Sequence, residues 1–457
     1  MLNKIHELQD NTILKKIGEM AFYIAFVIET LIVIIDKSAI TNPILGRLFQ
    51  VTFLLCLIKV LATKYEWREY AFIFVFCLLG VFVDQLGDRN EILRIFMFIA
   101  ACKGIDMKKW MRVYFWILAI GSVLIVLLSI LGILGSVTEL KEFKDEGFRE
   151  LYAFGMGNPN SFHIMIFMVV LLGMYVYHKE LRWWCYPPLL GLDYLLYRLT
   201  GTRTATILMA AAVAGMFCVK YLEKYSEFID RKRTEWLGAK DKAGVEEFAD
   251  VESGAKASRS FIVLKKILYF DYGKLLLKIG SWLSMIVSLA GVELSFYFAA
   301  EAWKVYAFNW GLMHWEPDIA RIVQFDRALT GRICMLQNFT NRAGSMNTWK
   351  LFTVPNHTEY MDLGFVRLFY WYGYIPAIII LLIMVGLIAY LIASEKYADV
   401  MLLFIIAVFT VIEAHFISVY IGRSYPVLLL GIYWTDIVKC LCETKKTRRT
   451  TNEQLQV

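Results

Sequence analysis

The part of this chain best equipped for chemistry is a polar segment, residues 300–362, that lies between two strongly apolar runs. Its basic residues are mostly arginine: Arg321, Arg327, Arg332 and Arg342, with Lys304 and Lys350 beside them. A planar guanidinium can grip a phosphate through two hydrogen bonds at once, whereas an ammonium acts as a point charge. The segment therefore predicts a cap outside the lipid that handles an anionic, phosphate-bearing substrate.

A second arginine motif, Tyr197–Thr206, joins two apolar runs almost without a loop. Thr202 precedes the second run, and Arg203 falls in the first turn of the predicted helix. The N-terminus of a helix attracts anions, so a cation there is unfavourable unless an anion is bound beside it. We expect Thr202 and Arg203 to contact an anionic ligand; the alternative for Arg203 is a lipid head group at the membrane interface.

A third motif, residues 149–161, combines Arg149 with two glycines and a proline that indicate a tight turn. We expect Asn160 or Ser161 to cap the helix that follows, and Arg149 and Asn160 to contact substrate. The alternative is turn chemistry alone. His163, one turn further on, is typical of a packed histidine with satisfied hydrogen bonds.

The candidate general bases are His357 and Asp362, at the entry to the next apolar run. Their alternatives are a surface loop position for His357 and a helix cap for Asp362. Glu413 falls inside an apolar run, where an ionisable side chain is costly, and we expect it to pair with an arginine.

The composition identifies a polytopic helical membrane protein. The 457 residues are 58% hydrophobic and 19% charged, with mean hydropathy +0.54. A soluble domain of this size could not bury so much apolar surface. The net charge of +7 does not indicate nucleic-acid binding, because the excess Lys and Arg lie in short connections between apolar runs.

Runs of about 20 apolar residues match the thickness of a bilayer core and predict an all-α fold with about 12 transmembrane helices. They are expected at about 17–36, 43–62, 69–86, 91–104, 112–135, 159–178, 183–199, 202–221, 275–299, 363–391, 399–419 and 424–440. Lys-rich connections alternate along the chain, which predicts that both termini are cytoplasmic. No cleavable signal peptide is expected, and the eight cysteines show no disulfide or metal spacing.

Four parts follow from this pattern. They are nine transmembrane helices within 1–299, interrupted by a charged cytoplasmic segment at 222–268; a large extracytoplasmic loop at 300–362 with short helices; three transmembrane helices within 363–440; and a basic cytoplasmic tail at 441–457.

Taken in order, the motifs resemble the Wzy-type polysaccharide polymerases, which are related to the O-antigen ligases. The resemblance covers roughly 140–375. It is carried by Arg149 with Phe154-Gly155 and Asn158-Pro159-Asn160, by Thr200-Gly201-Thr202-Arg203-Thr204, by Leu329-Thr330-Gly331-Arg332, and by Asp362-Leu363-Gly364-Phe365 with Trp371-Tyr372-Gly373. Leu363 stands where the family has Asn, and Asp362 falls where the ligases have His, so Asp362 and His357 remain alternative bases.

The resemblance implies a membrane glycosyltransferase of the GT-C class that acts on undecaprenyl-diphosphate-linked oligosaccharides in the bacterial cytoplasmic membrane. It implies no metal, cofactor or nucleotide sugar. Partners would be membrane lipids and the chain-length regulator and flippase of the same pathway. Arg203 and Arg332 would hold the diphosphate and Asp362 or His357 would be the base, while Arg149, Asn160, Thr202, Arg321 and Arg327 would contact substrate.

Other functions stay open at this point. A ligase that transfers finished polymer to another acceptor would use the same residues. A transporter or flippase of lipid-linked oligosaccharides would need charged residues within its membrane helices. The sequons Asn338-Phe-Thr and Asn356-His-Thr would also fit a glycosyltransferase of the eukaryotic secretory pathway.

Overall fold

In its described residues the protein is a bundle of long apolar helices with one small β-hairpin. The computed structural model describes residues 9, 11–40, 44–143, 147–243, 270–314, 316–338, 345–357, 359–414 and 420–454. Within these residues the elements are α1 Thr12–Lys37, α2 Leu45–Leu61, α3 Trp67–Gly87, α4 Glu91–Ala101, α5 Met107–Ile130, β1 Thr138–Phe143, β2 Gly147–Tyr152, α6 Pro159–Val176, α7 Tyr186–Thr200, α8 Arg203–Ala243, α9 Tyr272–Asn309, α10 Pro317–Ala328, α11 Arg332–Asn338, α12 Gly364–Tyr372, α13 Tyr374–Ala393, α14 Tyr397–Thr410 and α15 Tyr425–Gln454.

Seven helices in the described chain are long and apolar enough to cross a membrane. They are α1, α3, α5, α6, α9, α13 and the part of α8 from Arg203 to Glu235. These helices support the polytopic helical class. The predicted count of about 12 spans is not confirmed, because seven of the described helices have the length and composition of a membrane span. Helix α4 has only 11 residues, about 16 Å, and ten of them are buried within the bundle.

The predicted helix 363–391 is two helices, α12 and α13, that meet at Gly373. Gly373 has φ +83°, and the backbone N–H groups of the next two residues, Tyr374 and Ile375, bond to the carbonyls of Lys350 and Leu351. The polar loop thus supplies acceptors to the first N–H groups of α13. Because these bonds fix the start of a new helix, one continuous helix is excluded here.

Three other regions differ from the sequence prediction: one contains a hairpin, and in two a helix continues further than expected. Residues 137–158 contain the hairpin β1–β2, in which Arg149 lies opposite Lys141. Helix α8 continues into the charged segment 222–268 as far as Ala243, while residues 244–269 lie outside the described residues. Helix α9 extends ten residues into the segment expected to be a loop from residue 300.

Helix α9 is longer than the thickness of a bilayer core, and it packs against the polar segment. Its 38 residues span about 57 Å, against about 30 Å of hydrocarbon. The rings of Phe298 and Phe325 lie 5.8 Å apart, and those of Phe296 and Trp349 lie 5.3 Å apart. Through these contacts, α10 and the residues before α12 pack on α9.

The bundle has two chemically different ends, which α6 connects. At the start of α6, Asn160 contacts Glu413, which in turn contacts Arg332; we call this the arginine end. About 27 Å away, the last turn of α6 lines a cavity of about 880 Å³. The same cavity is lined by lysines from three predicted cytoplasmic connections, and we call it the lysine end: Lys108, Lys109, Lys179 and Lys396.

The close contact at Gly373 gives a test of the fold. A Cβ there would lie 2.6 Å from the backbone of Phe352, and the positive φ disfavours an L side chain. We expect Gly373→Ala to lower the free energy of unfolding by about 2–4 kcal/mol. The thermal unfolding midpoint in detergent measures this change.

Gly386→Ala is the matched control, because a Cβ at that position of α13 meets nothing within 4 Å. We expect its midpoint to equal or slightly exceed that of the wild type, since alanine favours a helix. Equal midpoints for the two variants would contradict the close approach of the loop to Gly373.

Candidate functional site

Arg332 is placed by a sharp break between α10 and α11. Thr330 and Gly331 have φ of +58° and +84°, backbone conformations that end α10 and turn the chain before α11. Asp326 holds the break: its Oδ1 accepts from the backbone N–H of Ile333 at 2.8 Å and of Cys334 at 2.9 Å. A carboxylate that caps the first N–H groups of a helix fixes its start, and Arg332 is the first residue of α11.

The Arg332 guanidinium lies between two carboxylates. Its Nε donates to Asp362 Oδ2 at 3.2 Å, and its Nη2 donates to Glu413 Oε1 at 2.6 Å. The third nitrogen, Nη1, donates to Thr330 Oγ1 at 3.3 Å. All three nitrogens therefore have partners, and the side chain is only 11% exposed.

Glu413 accepts hydrogen bonds from both Arg332 and Asn160, a residue of α6. The predicted position of Glu413 within a helix was wrong: α14 ends at Thr410, and Glu413 lies in the turn beyond it. The predicted pairing of Glu413 with an arginine is confirmed. Glu413 also accepts from Asn160 Nδ2 at 3.0 Å. Burial raises the pKa of this carboxyl above its ordinary value, and the Arg332 charge opposes the rise.

Asn160 is not a helix cap. Asn158 caps α6, accepting from the backbone N–H of Ser161 at 2.8 Å, and Pro159 occupies the first turn. The expectation that Asn160 or Ser161 caps the helix was therefore wrong. Two residues beyond the cap, the Asn160 side chain reaches Glu413. Its Oδ1 is buried and has no hydrogen-bond partner among the described residues, so it could accept from a ligand hydroxyl.

His357 has a structural position. Its Nδ1 donates to the Tyr370 carbonyl at 2.8 Å, and the two rings stack at 4.1 Å. Its own carbonyl accepts from Arg89 Nη2 at 2.6 Å. Burial lowers the pKa of the His357 ring, which is 9% exposed, so the imidazole is neutral at pH 7. Of the two candidate bases, Asp362 is the one that contacts Arg332.

The α7–α8 turn lies at the arginine end. Thr200 Oγ1 lies 3.1 Å from His163 Nδ1, and His163 is one helical turn from Asn160. The Thr202 carbonyl accepts from the Thr206 hydroxyl at 2.8 Å, which closes the first turn of α8. Arg203 is the first residue of α8 and is exposed. The buried His163 also contacts Asp193 at 3.3 Å, as expected for a packed histidine.

The other predicted substrate contacts lie on the surface. Arg321 and Arg327 are exposed on α10, and Arg149 is exposed on β2. Arg327 falls in the last turn of α10, where a cation complements the helix dipole. Arg342 lies outside the described residues. Arg149, Arg321 and Arg327 are therefore exposed, whereas Arg332 is largely enclosed.

Two buried arginines beside the site were not assigned from the sequence. Arg89 lies 3.9 Å and Arg367 4.5 Å from the ring centre of Trp371, so the indole contacts both guanidinium groups. Arg367 Nη2 also donates to the carbonyl of Ala414, next to Glu413, at 2.9 Å. An arginine four residues before a tryptophan, in an otherwise apolar helix, was the available signal for Arg367.

The chemistry that this arrangement offers is anion binding beside an exposed carboxylate. Arg332 is held from its buried side by Glu413, while Asp362, at 49% exposure, faces solvent. Among the described residues, no three His, Cys, Asp or Glu side chains group as metal ligands. A guanidinium stabilises negative charge and a carboxylate accepts a proton, so this pair can supply both functions.

The contact between Asn160 and Glu413 can be tested by charge. Asn160→Ala removes one hydrogen bond and should cost about 1 kcal/mol of stability. Asn160→Asp places a second carboxylate about 3 Å from Glu413, so only one of the two can readily ionise. The folded state then binds more protons than the unfolded state, and stability falls as pH rises. Thermal unfolding midpoints at pH 5 and pH 8 measure the effect.

Asn158→Asp is the control for this test, because aspartate also caps a helix and its charge suits the N-terminus. We expect its midpoint to match the wild type at both pH values. A pH-independent midpoint for Asn160→Asp would show that the two side chains are not in contact.

Comparisons with known proteins identify no family for this chain. The chain matches no protein-family model, no curated protein and no solved structure. An inference about its function therefore depends on its own residues and their contacts.

Proposed function

We propose that this protein is a membrane glycosyltransferase that polymerises oligosaccharide repeat units linked to undecaprenyl diphosphate. The site would lie at the outer face of the bacterial cytoplasmic membrane, and the product would be a surface polysaccharide. One observation carries the proposal: Arg332 lies at the end of a membrane bundle with a largely enclosed carboxylate, Glu413, behind it and an exposed carboxylate, Asp362, 3.2 Å in front of it. Cation and base are thus adjacent where a lipid-linked donor would arrive.

The reaction uses these groups in one displacement. The acceptor hydroxyl attacks the anomeric carbon of the donor, and the bond from that carbon to the diphosphate oxygen breaks. The electron pair leaves with undecaprenyl diphosphate, whose charge Arg332 and Arg203 stabilise. Asp362 takes the proton of the attacking hydroxyl. His357 instead holds the loop, because its Nδ1 is bonded to the Tyr370 carbonyl.

Aromatic side chains differ in their access to a sugar chain. Trp310 and Tyr360 are exposed at the polar segment and can stack on sugar rings. Trp349 is buried against Phe296 and Phe369 and has a packing role. Trp315 lies outside the described residues. The stacking surface thus includes residues before α10 and before α12.

A transporter of lipid-linked oligosaccharides is the competing function. The cavity of about 880 Å³ at the lysine end favours it, since a transporter needs access from both sides. Purified protein that elongates lipid-linked repeat units without ATP, nucleotide sugar or added metal would support the transferase. A ligase would use the same arginine end with a different acceptor, and loss of a ligase would leave long chains unattached.

The proposal predicts that charge alone does not replace Arg332 or Arg203. Lysine keeps the charge but loses the planar fork, so Arg332→Lys and Arg203→Lys should reduce polymer by at least about 100-fold. Polymer length on gels and the amount of protein in the membrane measure this loss. Wild-type polymer from either variant would remove that arginine from the site.

Arg112→Lys is the matched control. Arg112 is exposed at the lysine end and pairs with Glu180 at 3.1 Å. We expect wild-type polymer from this variant, because an exposed ion pair contributes little and tolerates exchange of its cation.

The proposed orientation predicts opposite labelling of the two ends. In a cysteine-free background, Leu312→Cys near the exposed end of α9 should react with a membrane-impermeant maleimide in intact cells. Lys108→Cys at the lysine end should react only after permeabilisation. Labelling in the reverse order would place the arginine end in the cytoplasm and contradict the proposed site of action.

A further inference from the structure

The two carboxylates bound by Arg332 are in different environments. Asp362 is 49% exposed and its oxygen lies 3.2 Å from Arg332 Nε. Glu413 is 13% exposed and its oxygen lies 2.6 Å from Arg332 Nη2. Glu413 accepts a second hydrogen bond from Asn160. The same cation therefore makes one short, enclosed contact and one longer contact that faces solvent.

An entering anion would displace the carboxylate whose release costs less. An exposed ion pair contributes little, because water solvates both partners once they separate. Breaking a largely buried pair is far more costly, since it leaves an uncompensated charge. All three guanidinium nitrogens of Arg332 already have partners, so a phosphate can gain a favourable contact with Nε only by replacing Asp362.

We propose that Arg332 exchanges partners when the anionic donor binds: a phosphate oxygen takes the place of Asp362 at Nε, while Glu413 and Asn160 hold the guanidinium in position. Glu413 and Asn160 are positioning residues in this scheme. The inference rests on the proposed function, because it makes donor binding the event that frees the base.

The exchange orders the reaction. While Asp362 Oδ2 accepts from Arg332, that oxygen is not available to an acceptor hydroxyl. Once the phosphate occupies Nε, the released carboxylate lies beside the bound donor on the solvent side. Donor binding thus frees both oxygens of the base, which couples proton abstraction to a bound leaving group.

Inorganic pyrophosphate is the probe for the exchange, measured as a Kd with purified full-length protein in nanodiscs. Asp362→Asn removes the competing charge without removing the side chain. We expect this variant to bind pyrophosphate about two- to fivefold more tightly than the wild type, the factor that corresponds to one exposed ion pair. In an elongation assay its KM for donor should fall while its kcat falls steeply.

Two controls separate local exchange from a general change of charge. Glu301→Gln removes a carboxylate that pairs with Lys304 on the extended part of α9 and should leave the Kd unchanged. In an Arg332→Gln background, which removes the cation, Asp362→Asn should no longer tighten binding, because the charge that Asp362 and the phosphate compete for is absent. An equal gain in that background, or weaker binding by Asp362→Asn alone, would overturn the exchange.

Failure of the exchange and failure of the proposed function give different results. If the exchange is wrong but the protein is a transferase, the wild type elongates donor and Asp362→Asn leaves the pyrophosphate Kd unchanged. If the protein is not a transferase, no elongation occurs even where Asp362→Asn tightens binding. Binding therefore tests the exchange, and elongation tests the reaction.

Discussion

The contact between Arg332 and Glu413 is the interaction on which the arginine end depends. Taking a guanidinium and a carboxylate out of water is costly, and their attraction offsets that cost only with good geometry. Here the N–O distance is 2.6 Å, and Asn160 supplies a second donor to Glu413. Neutralising either residue would leave the other charge largely enclosed without its short contact, so the pair fixes the polar segment to the bundle.

This pair joins three distant parts of the chain. Arg332 comes from the break between α10 and α11, Glu413 from the turn after α14, and Asn160 from the first turn of α6. The close approach of α12 supports the same turn, since a Cβ at Gly364 would lie 2.7 Å from the Glu413 carbonyl. Backbone packing and ion pairing therefore constrain one small region from several directions.

Local sequence signals predicted the turns near the site, but they did not predict which side chains contact each other there. The two glycines and the proline in residues 149–161 marked the turn before α6, because backbone preference acts within a few residues. The break at Gly373 was missed, because it depends on carbonyls more than 20 residues earlier in sequence. Asn160 was assigned a cap since Asn158 and Asn160 are equally suited to one, and only the tertiary position of Glu413 distinguishes them.

The two ends of the bundle use basic residues in different ways, and this bears on where chemistry can occur. At the lysine end, Lys274 and Arg112 pair with exposed glutamates around an open cavity, where water screens each charge. At the arginine end, Arg332 and Arg367 are largely enclosed. A low local dielectric strengthens every interaction with a developing charge. Enclosed guanidinium groups therefore interact more strongly with a bound anion than the solvated lysines do.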